Sequence, residues 1–143
     1  MPHRKGTFGD LYFVHWQGAP VAAELDQIFP EIEKHSKRLG RKILYLTVVP
    51  PEAPVPSAEE RKGLEAFATR LKQYIEHAYL VLEGEGFRAS IQRSVVIGLT
   101  LFKERGYTTI CKDVTEAITK IAARSGADRD TLLAAARGNG LSC

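Results

Sequence analysis

A chain of 143 residues, 44% hydrophobic and 26% charged, is long enough and apolar enough to bury a core of its own, which excludes a disordered or low-complexity protein. The formal charge is +3, from 20 basic and 17 acidic residues. So small an excess, spread along the chain, argues against nucleic acid or an anionic membrane surface as partner.

The first residues, "MPHRKGTFGD", read as a tail or, through the turn-forming "TFGD", as a short edge strand over 1–9. They lack the apolar stretch of a signal peptide. "DLYFVHWQG" is aromatic and β-branched and predicts a strand over 10–18, ended by Gly18-Ala19-Pro20. "VAAELDQIFPEIEKHSKRLG" places Leu25, Ile28, Phe29, Ile32, Ser36 and Leu39 on one helical face, with Gly40 as the C-cap. Pro30 inside that pattern predicts a kink or the start of a second helix. The basic run from Lys34 to Lys42 suits a helix end, where cations complement the dipole.

"KILYLTVVPP" is a continuous apolar run closed by prolines, the signature of a strand covered on both faces over 42–49. "PEAPVP" is a stiff loop. "SAEERKGLEAFATRLKQYIEHA" opens with the capping box Ser57–Glu60 and carries Leu64, Phe67, Leu71, Tyr74 and Ile75 as one stripe. "AYLVLE" is the next strand, 79–83 at its centre. A helical segment with Ile91, Val95, Leu99 and Phe102 follows and stops at Gly106. "YTTIC" is a last strand, and Asp113 with Glu116 starts a helix whose inner face is Ala117, Ile118, Ile121 and Ala122. "ADRDTLLAAARGNG" supplies a terminal helix and tail over 128–143. Strands alternating with helices predict one α/β domain with a mostly parallel sheet of four to five strands. The two central strands, 42–49 and 79–83, are expected to be parallel.

The corner after the third main strand, "LEGEGFRASIQRS", holds the densest set of candidate contact residues: Gly84, Glu85, Gly86, Arg88, Ser90 and Arg93. A strand–turn–helix corner offers unpaired N–H groups, and the arginines add charge-assisted donors. The pattern is neither a Walker loop nor a dinucleotide fingerprint, and Glu85 opposes a phosphate. Phe13, His15 and Trp16 end the first strand and "TVVPPEAPVPS" follows the second, so both belong to the same sheet edge if the strands are parallel. There Phe13, Trp16 and Phe87 could line a pocket for a small apolar or lipid-like ligand.

No pair among His3, His15, His35 and His77 has metal spacing, and each reads as structural or solvated. There is no nucleophile elbow and no convincing carboxylate pair, so no catalytic residue, metal or cofactor is assigned. Cys111 and Cys143 lack ligand or pairing signatures and read as free thiols of a reducing compartment. With no run long enough to span a membrane, the expectation is a soluble cytoplasmic protein.

Element order and several landmarks resemble the STAS-like superfamily, named for sulfate transporters and anti-sigma-factor antagonists, and in particular its divergent branch of small stand-alone bacterial proteins. The landmarks are the Trp-x-Gly of "HWQG", the Gly-Arg of "LGRKILYL", the helix start "PSAEERKGL" and the stretch "YLVLEGEGFRASIQRSVVIGLTLF". The resemblance implies a STAS-like domain that works by contact with another protein, as a regulatory module open to homodimerisation. In the antagonists this corner carries an Asp-Ser-Ser motif with a phosphorylated serine. Ser90 is its nearest equivalent here, with Ala89 and Ile91 in place of the flanking Asp and Ser. The alternative from the residues alone is the apolar-ligand carrier.

Overall fold

The computed structural model describes residues 3–16, 22–49, 58–82 and 108–141. Among them, five strands form one sheet in chain order: β1 (His3–Phe8), β2 (Leu11–Trp16), β3 (Ile43–Val49), β4 (Ile75–Leu82) and β5 (Thr108–Cys111). β1 is antiparallel to β2 through a two-residue turn at Gly9-Asp10, and the other neighbours are all parallel. The fold is therefore α/β with a mixed, mostly parallel sheet, and the two central runs pair in parallel as the sequence predicts.

Alternation along the strands divides the core in two. Tyr12, Val14 and Trp16 of β2 with Ile43 and Tyr45 of β3 face one layer, where helices α1 (Ala22–Leu39) and α2 (Ala58–Leu71) cover them. Leu11, Phe13, Leu44, Leu46, Val48, Tyr79 and Val81 face the other, covered by α3 (Val114–Ser125) and α4 (Arg129–Gly138). With both faces covered, β3 has no polar side, which is why it reads as an unbroken apolar run. A register shift where Ile43 and Leu44 face Ile75 and His77 leaves Glu76 as an extra residue. That bulge puts Ile75 in the first layer while His77 packs against Tyr79 on the second, although the two are only two residues apart.

α1 is one helix with Pro30 inside it, and no second helix starts there. Its inner face is Leu25, Ile28, Phe29, Ile32, His35 and Ser36. Leu39, expected on that face, is 39% exposed. The helix closes in a Schellman motif: Arg41 N–H donates to Ser36 O (3.2 Å) and Gly40 N–H to Lys37 O (3.2 Å), with Gly40 at φ 70°. α2 ends at Leu71, so Tyr74 lies in a turn and Ile75 opens β4 rather than extending the helical stripe. Phe67 and Leu71 are buried as expected. Ser57 and the side chains of Glu60 and Leu64 lie outside the described residues, as does the helix expected over Ile91–Phe102.

The hairpin docks through a missing side chain. Gly6 pairs with Phe13, and a Cβ on Gly6 would stand 2.9 Å from Phe13 Cε1 and 3.3 Å from Asn139 Oδ1. Any side chain at position 6 would have to displace the buried Phe13 ring.

Candidate functional site

The parallel strands set the geometry of the candidate edge. β2, β3 and β4 run in register and end at Trp16, Val49 and Leu82. α1 runs back from that edge, because its last turns reach the Gly9 turn at the opposite one. The C-terminal ends of β2, β3 and β4 thus lie together at this edge, and residues 17–21, 50–57 and 83–94, which follow them in sequence, lie outside the described residues.

Trp16 anchors it. The indole is 1% exposed and its Nε1 donates to Thr47 Oγ1 at 3.0 Å, bridging β2 to β3 on the α1/α2 face. A buried indole N–H without an acceptor would cost about 1–3 kcal/mol, so Thr47 is what permits a tryptophan there. Sequence reasoning passed over Thr47. Its signal was a single hydroxyl inside "LYLTVV". On the same face Tyr45 lies over Tyr12, ring centroids 6.5 Å apart, and burial holds both phenols protonated well above their usual range. The Glu31 carboxylate, itself paired with Lys5, adds to the effect at Tyr12.

Phe13 belongs to the opposite layer. It packs with Leu46 and Tyr79 and tilts against Phe8 at 5.8 Å. Phe13 and Trp16 therefore stand on opposite faces of the sheet, three positions apart along one strand, and do not wall a common pocket. The expectation of an apolar pocket lined by both is corrected accordingly. Phe87, its third member, lies outside the described residues. So do Gly84, Glu85, Gly86, Arg88, Ser90 and Arg93. His15 follows Phe13 onto the α3/α4 face, half-buried beside Val48.

Among the described residues, polar contacts gather at the other edge and between the elements. His35, read from sequence as solvated or structural, is buried and bonded to both Gly9 and Arg38. Tyr74 donates to Glu33 Oε2 at 2.8 Å, and that bond keeps the Glu33 carboxyl below its usual pKa. His77 Nε2 lies 2.7 Å from Thr109 Oγ1, crosslinking β4 to β5. Arg70 stacks over Phe29 at 4.0 Å and pairs with Asp26 at 3.6 Å, joining α2 to α1. Burial raises the Cys111 thiol to about 11, which leaves it protonated and unreactive at neutral pH. Among the described residues no group of three or more His, Cys, Asp or Glu is placed to hold a metal ion, and no helix is long and apolar enough to cross a membrane.

No protein-family model, curated protein or solved structure matches this chain.

Proposed function

We propose that this chain is a STAS-like module that acts by contact with another protein, through a surface built from residues 84–94 together with the loops 18–21 and 50–57. One observation supports the reading. The shared register of β2, β3 and β4 ends all three strands at one sheet edge, so Trp16, Val49 and Leu82, far apart in sequence, finish side by side. Ligands and partners of open α/β sheets favour that edge, where loops can vary without disturbing the core. Arg88 and Arg93 supply the charged anchors and Ser90 the group that phosphorylation would alter. The carrier reading loses support because Phe13 and Trp16 serve separate core layers.

The test compares the wild-type chain with Arg88→Glu/Arg93→Glu as immobilised bait in native-cell extract, with the captured protein then purified and titrated against both. Loss of about 1–3 kcal/mol of binding is expected if both arginines make charge-assisted bonds, with a melting temperature nearly unchanged. Equal binding by both proteins would remove this edge from the interface.

A further inference from the structure

We propose that His35 is a proton-sensitive latch that holds the last turns of α1 onto the β1–β2 turn and opens as the pH falls. Two contacts assign its state. Nε2 lies 3.1 Å from the Gly9 carbonyl oxygen, which can only accept, so Nε2 carries the hydrogen. Nδ1 lies 2.5 Å from Arg38 Nη2, and a guanidinium can only donate, so Nδ1 is bare. The ring is therefore neutral in the folded protein, at 5% exposure.

The junction around it joins three elements. Gly9 and Asp10 form the hairpin turn, and Asp10 O accepts from Leu44 N–H of β3 at 2.8 Å. Ser36 Oγ donates to Arg41 O at 2.6 Å, and Arg41 pairs with Asp10 at 3.5 Å. The charged groups that act on His35 are Arg38 from its own helix and Asp10 from the turn, the latter already engaged by Arg41. A second proton on Nδ1 would set an N–H against the guanidinium N–H. Arg38, which is exposed, must then swing away and leave an imidazolium in a site closed to water.

The electrostatics agree. Burial is the largest influence and lowers the His35 pKa below its ordinary 6.5, and Arg38 acts the same way, while the Gly9 carbonyl and Asp10 oppose them. The unfolded chain thus binds the proton first. The stability due to neutral His35 is complete above about pH 6.5 and is lost as the pH falls below it towards the lowered folded value.

The experiment is nitrogen-15 NMR of the imidazole with urea unfolding, on the full chain, from about pH 7.5 to about pH 5. Wild type should show hydrogen on Nε2 and a bare Nδ1 at the upper end, and a titration midpoint below 6.5. Arg38→Gln, an exposed change, should raise that midpoint, because the guanidinium charge beside the ring is removed. His35→Gln keeps an N–H for Gly9 but cannot titrate, so its unfolding midpoint should vary less with pH than that of wild type. Hydrogen on Nδ1 at about pH 7.5, or a midpoint at or above 6.5 that Arg38→Gln leaves in place, would overturn the latch. Should His35→Gln fail to fold, the tautomer and the Arg38→Gln shift still decide.

Discussion

At the scale of single residues, Gly6 is a glycine whose Cβ would meet neighbours within 4 Å. Its Cβ would enter contact distance of a ring that is itself 1% exposed and cannot retreat. Gly6→Ala should therefore lower stability by about 1–3 kcal/mol, the usual cost of overpacking, read as a lower urea midpoint with an unchanged slope. Little in "HRKGTF" announces this, because the demand comes from Phe13 across the hairpin and from Asn139, the C-cap of α4. His35 and Leu39 show the same lesson in reverse. The spacing of Ile28, Ile32 and Ser36 already included position 35, but residue type argued for solvent. Leu39 fitted the stripe by type, yet it is the last residue of α1, next to the reversal at Gly40, and is largely exposed.

At the scale of elements, what could be read in the sequence was local hydrogen-bond chemistry. Asp113 caps α3 by accepting from Glu116 N–H at 2.8 Å, and Glu116 reaches back to Lys112 N–H at 3.1 Å rather than to the cap residue itself. Asp113→Ala should cost about 1 kcal/mol, within the range for lost N-caps, measured by chemical denaturation. Asp113→Ser should recover most of it. Pro30 predicts a kink or the start of a second helix because the rule assumes a missing bond is costly. Pro30 and Asp26, four residues before it, both lie on the exposed side, so the carbonyl deprived of a donor is on the side that meets water. The end of α2 was misplaced for a different reason. Tyr74 and Ile75 continue the helical spacing from Leu71, while Ile75, His77 and Tyr79 also alternate as a strand. Tertiary pairing settles it: Ile43 N–H donates to Tyr74 O at 2.8 Å, which pulls that segment into the sheet.

At the scale of the whole molecule, strand–helix alternation made the α/β class and the parallel central pair legible, but not the division of the helices between faces. α1 and α2 lie in crossovers between parallel strands and share one face, whereas α3 and α4 follow β5 and cover the other, and no residue pattern within them records that choice. The candidate edge was legible as a place, through strand ends, whereas the pairing of Phe13 with Trp16 was not, since proximity in sequence hides opposite faces. Cys111 tests the integrity of the second layer. It is fully buried beneath α3, so in a Cys143→Ser background its alkylation at about pH 8 should be slow and should accelerate in step with urea unfolding. Rapid labelling of the native protein would mean that α3 opens independently of the rest. The sheet order has a kinetic consequence. Every described strand lies beside the described strand next to it in the chain, so no pairing among them has to wait for a strand further along, and the sheet can grow outward from β3 by closing one intervening stretch at a time. Trp16, the only tryptophan, bonds across the β2–β3 step, so its fluorescence reports that closure by itself.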